Sequence, residues 1–513
     1  MNQYIRTDRR ILFEGPTSAG PRFVSAPVLR WTDLPQVHTY RVAVASENEL
    51  VWQQDVAESS VDLATAWKSL PRGLVDVLVR GLDEAGHDVA VRAHRRFWRV
   101  PGWDERRQEP LDWAAAIRAS MRQLLSPPRD EVRPYEAGLP RVVHSGFEDT
   151  ATGDRAQLAY PALHLPSFLT CFTVFASAYP DDPLAESATK QAIQLGEWLL
   201  DNSLPAEWAC GGLPPSTVEN GSLGGGVEGP SITLFRAARV AEAMLGLAAF
   251  TGDERFHAYA VHIARVLAAH QRSDGSWPHR VDPVTGAVEV DYTSAAVTPV
   301  RLFALLEQGG DTSFTSHRLA GEAWIASHPL ATSRWEGMYE DIPGVEPFSN
   351  LENWDVNETL RYLLSGLSSI ESPVEHAIAL NALIEDQFVV WQRETSSVFA
   401  KCPTPAVLEQ YRCLHPMEVH TGNWLLSLRS LHHATGSPEY LDKAIAAANA
   451  IVRGQWQYGA LSTWGLDERF GEPLIALDWP GCNAGATTAL LRWVAYHDDL
   501  TASRKPSIDL GGV

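Results

Sequence analysis

The stretch SITLFRAARVAEAMLGLAAFTGDERFHAYAVHIARVLAAHQRSDGSW, residues 231–277, decides the fold. Apolar residues recur at helical spacing on both sides of Thr251, Gly252 and Asp253. Gly252 can take the left-handed conformation that ends a helix, and Asp253 can cap the N–H groups of the next helix. The stretch therefore predicts two helices joined by a tight turn, which is a helical hairpin.

The hairpin pattern recurs along the chain. Residues 433–455, HATGSPEYLDKAIAAANAIVRGQ, repeat the Thr-Gly turn, and residues 178–200 carry a looser copy. Paired helices cannot bury their apolar faces alone, so they must stack or close on one another. The periodicity predicts helices near 111–125, 158–179, 183–202, 231–251, 253–270, 293–308, 313–327, 354–367, 373–391, 420–433, 438–453 and 483–497. Twelve helices make six hairpins, which is the number that closes an (α/α)6 toroid.

Residues from about 22 to 103 are typical of β structure instead. Tyr40, Val42 and Val44 alternate with less apolar neighbours, and turn residues separate the runs. The pattern resembles a fibronectin type III-like sandwich, a module that more often packs or binds than catalyses. We therefore predict an N-terminal β-sandwich domain over residues 1–103 and a toroid domain over residues 104–513.

The helical part resembles the six-hairpin glycosidase-like superfamily. The segment Gln271-x-x-Asp274-Gly275-Ser276-Trp277 after a helix supports the comparison, because such a turn is frequent in α/α toroids. The turn also occurs in triterpene cyclases, but their Asp-x-Asp-Asp motif is missing from this sequence. The resemblance implies a mainly α fold and a carbohydrate-active enzyme, and it leaves the chemistry open.

The amino-acid composition argues against several classes of binding partner. A formal charge of −21 disfavours nucleic acid and acidic membranes. The N-terminus lacks the apolar core of a signal peptide and no run of about 18 apolar residues is present, so we expect a cytoplasmic protein. Five scattered cysteines without a C-x-x-C pair argue against a disulfide framework and against a structural zinc site. We expect neither a metal nor a cofactor. Many of the 18 tryptophans lie beside Gly, Pro and charged residues, where flat rings suit sugar faces.

The richest candidate site is the acidic segment 334–364. It places seven carboxylates around three aromatic residues, just before a helical run. Glycoside hydrolysis needs one carboxyl kept protonated and one ionised. We expect Glu340 or Asp341 to be the general acid, with Asp355 as a second catalytic carboxyl and with Tyr339 and Trp354 as substrate-binding residues. Asp355 also fits the acidic first turn of a helix, which is a structural role.

A second candidate is the segment 410–424, QYRCLHPMEVHTGNW. Tyr411 and His420 are groups that a uronate lyase uses for proton transfer, and Arg412 or Arg280 can neutralise the uronate. The spacing of His415 and His420 does not match common helical zinc motifs. A capped helix start is the alternative interpretation.

Further substrate-binding candidates lie in other connections between hairpins. The glycine-rich segment 208–230 matches G-x-G-x-x-G literally, but no strand precedes it, so it does not predict a dinucleotide site. Solvated loops, or a seam that closes the ring, are the alternatives for these positions. The substrate-binding candidates in them are Asn220, Glu228, Trp277, His279, Arg280, Tyr292 and Trp479.

Three functions follow from the sequence. The first is a glycoside hydrolase acting on an oligosaccharide that can contain a uronic acid. The second is a polysaccharide or oligosaccharide lyase that cleaves uronate linkages by β-elimination, and the third is a non-enzymatic toroid scaffold. In the two enzymatic cases we expect the connections between hairpins to converge on one end of the toroid.

Overall fold

The computed structural model describes most of the chain. The described residues are 22–23, 26–31, 33–46, 49–99, 108–125, 144–148, 155–219, 222–224, 229–291, 293, 295–332, 353–391, 403–410, 413–461, 480–502 and 504.

The N-terminal part is a small unit of β-strands with one four-residue helical turn, Ala64–Trp67. Its strands are β1 (Arg22–Phe23), β2 (Val28–Arg30), β3 (Thr39–Ser46), β4 (Glu49–Val56), β5 (Ser60–Asp62), β6 (Gly73–Leu82) and β7 (Asp88–Arg99). One sheet has the order β1-β7-β6-β3-β4, and β2 pairs with β5 in a second sheet. Both sheets contribute to one apolar core, which includes Trp31, Val42 and Phe97. The likeness to fibronectin type III and the boundary at residue 103, outside the described ranges, stay predictions.

Twelve α-helices follow in the described part of the chain, which confirms the prediction from periodicity. They are α1 (Trp113–Leu125), α2 (Pro161–Ala178), α3 (Ala185–Asp201), α4 (Leu234–Thr251), α5 (Glu254–Ala269), α6 (Val297–Gln308), α7 (Thr315–Ile325), α8 (Asn353–Leu363), α9 (Pro373–Gln387), α10 (Glu418–Thr435), α11 (Pro438–Arg453) and α12 (Pro480–Thr501). A 3₁₀ turn (Thr312–Phe314) precedes α7, and a π-helical turn (Ala326–Leu330) follows it.

The helices form two concentric rings. The even-numbered helices contact one another in the order α2, α4, α6, α8, α10, α12, and α12 contacts α2. Each odd-numbered helix packs outside: α3 on α2, α5 on α4, α7 on α6, α9 on α8, α11 on α10, and α1 on α12. Six inner and six outer helices make the (α/α)6 toroid, so the predicted fold class is confirmed.

Short β elements decorate the toroid. They are β8 (His144–Glu148), β9 (Arg155–Ala159), β10 (Val218–Glu219), β11 (Ser222–Leu223), β12 (Ile232–Thr233), β13 (Arg280–Val281), β14 (Val288–Val290), β15 (Val389–Val390), β16 (Ala406–Gln410) and β17 (Cys413–Pro416). They form three small sheets, of which β15, β16 and β17 make one. All of them lie between an outer helix and the next inner helix, so the sheets belong to one end of the ring.

The two ends of the ring differ in their connections. Inner helices pass to outer helices through short turns, whereas every outer helix reaches the next inner helix through a connection of more than 25 residues. The predicted turn is present: Gly252 has φ of 74°, and the carboxylate of Asp253 accepts from the Arg255 N–H at 3.0 Å. Gly436 ends α10 in the same left-handed conformation, with φ of 68°.

Two glutamine residues tie neighbouring outer helices together. After α5, the Gln271 side-chain amide donates to the Gly275 and His317 carbonyls, and His317 belongs to α7. After α11, the Gln455 amide donates to the Gly459 and Ala116 carbonyls, and Ala116 belongs to α1. The Gln-x-x-Asp-Gly-Ser-Trp turn is therefore one copy of a repeated packing device, and the second copy helps to close the outer ring.

The β unit is fixed to the toroid by a buried ion pair. Nη1 of Arg95, on β7, donates to Oδ2 of Asp386, on α9, at 2.8 Å. Both side chains are almost fully buried. Because a buried charge without its partner is costly, loss of either side chain is expected to destabilise this junction.

The apolar helix α2 bears on the expectation that the chain has no membrane-spanning segment. By length and composition alone it is able to cross a membrane, and 72% of it is buried inside the protein. It is an inner helix of the ring, and the core helix of a soluble protein passes the same test, so this is weak evidence for a membrane span.

Candidate active site

The candidate site is the end of the toroid where the inner helices begin, which we call the mouth. The first turns of these helices bring polar side chains into an otherwise apolar ring. They include His164 on α2, Arg236 on α4, Asp355 on α8 and His420 on α10, all of them buried. The mouth therefore combines exclusion of water with titratable groups, as expected of an active site.

Asp355 has the most unusual environment among these groups. It is the third residue of α8, and its Oδ2 accepts from the backbone N–H of Ala295 at 2.7 Å. Burial, with a contribution from the negative charge of Glu358, raises the pKa of Asp355 to about 7. Ala295 has φ of 50°, a left-handed conformation that costs about 1–2 kcal/mol for a residue with a Cβ. Strained backbone of this kind is often found at functional sites.

A network of buried ion pairs lies next to Asp355. Arg301 of α6 binds both oxygens of Glu242 of α4, at 2.8 and 2.7 Å, and also contacts Glu358 of α8. Arg361 contacts the other oxygen of Glu358. Burial opposes ionisation of Glu358, but the two guanidinium groups outweigh it and hold its pKa at about 2. Glu358 is therefore a fixed negative charge one helical turn from Asp355.

Aromatic and cationic side chains form the next layer. The Arg239 guanidinium lies 4.9 Å from the centroid of the Trp354 ring, and the Phe235 ring lies 5.7 Å from it. Arg236, also on α4, lies 5.9 Å from the centroid of the Tyr160 ring. Trp354 thus lies at the mouth, where Arg239 covers one of its faces. Its role in binding a sugar stays a prediction.

His164 was missed by the sequence analysis. Its ring stacks on that of Tyr160, with centroids 6.0 Å apart. Burial, together with the positive charges of Arg236 and Arg239, lowers its pKa to about 3. The imidazole is consequently neutral at any ordinary pH.

His420 and His279 are also neutral. His420 Nδ1 lies 3.1 Å from Oδ1 of Asn353, and burial lowers its pKa to about 3. Burial, then the charges of Arg280 and Arg236, holds the pKa of His279 well below its usual value. His279 is therefore a neutral group, and its role as a substrate-binding residue stays a prediction. Arg280, half-buried on β13, keeps that role as a prediction.

The structure contradicts the predicted substrate-binding role of Trp277. Its indole N–H donates to the Leu267 carbonyl at 2.8 Å, and its ring packs on Phe303. The ring also lies against Gly321 of α7, where an added Cβ would come within 3.2 Å of it. Trp277 belongs to the apolar core between α5, α6 and α7, and it has no face available for a sugar.

The other predicted site residues lie outside the described residues. They are Asn220, Glu228, Tyr292, Tyr339, Glu340, Asp341, Tyr411, Arg412 and Trp479. In the chain, each of them falls in a connection from an outer helix to an inner helix. Their roles stay predictions.

The residues that the sequence analysis missed share a recognisable signal. Arg236, Arg239 and Glu242 interrupt the otherwise apolar start of α4, and Arg301 interrupts α6. Charges on a helix that is buried all round are expensive unless they are paired or functional. Within the described ranges, no group of three or more His, Cys, Asp or Glu side chains could hold a metal ion.

Comparisons with known proteins identify the fold. No protein-family model matches the sequence, and no curated protein matches it either. Among solved structures, the chain is similar to cellobiose 2-epimerase from Bacillus thermoamylovorans B4167, with a TM-score of 0.54 and 9% identity over 74% of this chain and 98% of that one. It is also similar to a family 76 glycoside hydrolase from a bovine Bacteroides thetaiotaomicron strain, with a TM-score of 0.51 and 10% identity over 92% and 96% of the two chains.

A third similar structure is cellobiose 2-epimerase from Spirochaeta thermophila DSM 6192, with a TM-score of 0.50 and 12% identity over 76% of this chain and all of that one. At such identities the likeness concerns the fold. The helical part of this chain has the fold of the six-hairpin, glycosidase-like (α/α)6 toroids.

Proposed function

We propose that this chain is a carbohydrate-active enzyme, most specifically a glycoside hydrolase that acts on an oligosaccharide. The observation that carries the proposal is the environment of Asp355. A general acid must hold its proton near neutral pH and deliver it inside a site that excludes water. Asp355 meets both requirements, because it is buried at the mouth and its pKa is raised to about 7.

The proposal revises the roles of the carboxylates. Glu358 is held by Arg301 and Arg361, so it serves as a fixed charge that keeps the proton on Asp355. The ionised partner that hydrolysis needs, a base or a nucleophile, is then Glu340 or Asp341 in the acidic segment before α8. Structural neighbours that are described as a family 76 glycoside hydrolase and a mannosidase support this reaction class for the fold.

A sugar epimerase is the second candidate, and the three neutral histidines favour it. Epimerisation moves a proton on and off carbon, and a neutral imidazole is a suitable acceptor. His164, His279 and His420 are all buried at the mouth. Two of the similar structures are described as cellobiose 2-epimerases.

The test is a product analysis with three kinds of probe: manno-oligosaccharides, cellobiose and oligosaccharides that contain a uronic acid. Chromatography and NMR separate the outcomes. Hydrolysis shortens the chain, epimerisation changes the reducing-end sugar at constant length, and a lyase releases an ultraviolet-absorbing unsaturated uronate. Hydrolysis of any probe supports the proposal. An epimerised sugar or an unsaturated uronate without hydrolysis would contradict it and indicate an epimerase or a lyase instead.

Asp355→Asn should keep the fold and lower turnover by about a hundredfold or more, the scale of a removed general acid. Activity of the unchanged chain should fall above about pH 7, where Asp355 loses its proton, and the variant should lose this alkaline limb. Asp311→Asn is the matched control, because Asp311 caps the 3₁₀ turn at the opposite end of the ring. Full activity of Asp355→Asn beside an active control would contradict the assignment.

A further inference from the structure

The side chain of Asn353 joins the first turns of two neighbouring inner helices. Asn353 is the first residue of α8 and is fully buried, and its Oδ1 lies 3.1 Å from Nδ1 of His420 on α10. Asp355 lies two residues further on, in the same turn of α8. The contact therefore ties the turn that carries Asp355 to the turn that carries His420.

The orientation of the Asn353 amide follows from its other partners. Its Nδ2 lies 2.6 Å from the carbonyl oxygen of Leu408 and 2.7 Å from that of Glu409, and both residues belong to β16. Carbonyl oxygens only accept hydrogen bonds, so the side-chain atom that faces them must be the amide nitrogen. The atom that faces His420 is then the amide oxygen, which is an acceptor.

This orientation determines which nitrogen of His420 carries the proton. Because Oδ1 of Asn353 only accepts, Nδ1 of His420 must donate to it. Burial lowers the pKa of His420 to about 3, so the ring is neutral and carries a single N–H. Its lone pair is therefore on Nε2, which can accept a hydrogen bond or a proton but cannot donate one.

We propose that Asn353 is a positioning residue, which holds His420 in the tautomer with the proton on Nδ1, so that His420 serves the reaction as an acceptor through Nε2. Without such a partner at Nδ1, a neutral histidine exchanges between its two tautomers, and only one of them has a lone pair on Nε2. The predicted role of His420 in proton transfer is thereby restricted to that of an acceptor. The inference rests on the proposed function in taking the mouth as the active site, but it does not depend on which reaction occurs there.

The experiment observes the tautomer directly. The imidazole ¹⁵N signals of histidine-labelled protein are recorded by NMR near neutral pH, where protonated and unprotonated ring nitrogens give well-separated signals. Because the chain has 17 histidines, the signals of His420 are identified by their loss in His420→Gln. In the natural chain we expect Nδ1 of His420 to be the protonated nitrogen and Nε2 the unprotonated one.

Substitutions of Asn353 then test its role. Asn353→Leu removes the acceptor, so the other tautomer should become populated, and kcat with the converted sugar probe should fall about tenfold or more at little changed KM. Asn353→Asp still offers an oxygen to Nδ1 and should keep the natural tautomer. Asn381→Leu is the matched control, because Asn381 is also buried and its Oδ1 accepts from the indole N–H of Trp424 on α10 at 3.0 Å. The control should leave the tautomer and kcat unchanged.

Two results overturn the inference. One is a natural chain in which Nε2 of His420 carries the proton, and the other is an Asn353→Leu chain in which either the tautomer or kcat matches that of the Asn381→Leu control. If Asn353→Leu does not fold, the first test still decides, since it needs only the natural chain and His420→Gln. The proposed function fails separately: if the proton is on Nδ1 but no probe is hydrolysed, the assignment of the tautomer stands and the hydrolase does not.

Discussion

Buried carboxyl groups at the two ends of the toroid have different surroundings. At the end with short turns, Glu322 of α7 accepts from the Tyr362 hydroxyl, the Arg318 guanidinium, and both the backbone N–H and the hydroxyl of Ser369. At the mouth, Asp355 accepts from the Ala295 N–H while the nearby cations are bound to Glu242 and Glu358. Donors surround the first carboxylate and stabilise the fold, whereas the second is left with its proton near neutral pH.

The largest expected effect tests the ion network at the mouth. Arg301→Met leaves Glu242 and Glu358, both almost fully buried, without their shared cation, so we expect a loss of about 3–5 kcal/mol in the free energy of unfolding. Arg318→Met at the other end should cost less, because Tyr362 and Ser369 still donate to Glu322. Denaturant titration measures both, and an equal or larger loss in Arg318→Met would break the comparison.

The next effect concerns how stability depends on pH. Asp355 binds its proton more tightly in the folded chain, with a pKa of about 7, than in the unfolded chain, where the value is about 3.9. The free energy of unfolding should therefore fall as pH rises from about 4 to 7. Asp355→Asn removes this dependence, so it should be more stable than the natural chain at pH 8, by about 2–4 kcal/mol, and gain little at pH 4.

Asp311→Asn should change stability in the opposite direction to Asp355→Asn at neutral and higher pH. Hydrogen bonds from the Ser313 side chain and backbone lower the pKa of Asp311 in the folded chain, so its stabilising effect is present above the unfolded pKa and lost as pH falls. This variant should be less stable than the natural chain at neutral pH. Thermal unfolding across the pH range measures the stability of both variants relative to the natural chain. If both variants were more stable than the natural chain above pH 7, or both less stable, the pKa directions given for Asp355 and Asp311 would be contradicted.

The smallest effect compares two turns at the same end. Asp253→Ala removes a carboxylate that caps α5, and we expect it to cost about 1 kcal/mol. Ser437 holds the equivalent position before α11, but its side chain makes no cap hydrogen bond. Ser437→Ala should thus change the free energy of unfolding by only a few tenths of a kcal/mol.

The fold was predictable because its signals are local. Twelve apolar periodicities and turns such as Thr251-Gly252-Asp253 are properties of neighbouring residues, and the number of hairpins then fixes the closed ring. The β15–β17 sheet was not predicted, since strands of two, five and four residues are too short to show a clear alternation of apolar and polar residues.

The site was less predictable because its chemistry depends on distant residues. The pKa of Asp355 depends on Ala295, which lies 60 positions earlier in the chain. Trp277 looked like a loop residue, but the loop folds back so that its indole reaches Leu267 in the preceding helix. His164 lies in an apolar run, and only the order of the helices in the ring shows that it belongs to the first turn of an inner helix.

The closure of the ring by its last helix has a consequence for how the protein is made. The apolar helix α2 is covered by α4 and α12, and α12 is also held to α1 by hydrogen bonds of Ser120 with Asn483 and Thr487. A ribosome therefore delivers α2 more than 300 residues before the helix that completes its cover. Until then the nascent chain exposes an apolar surface, and such surfaces are the ones that chaperones protect from aggregation.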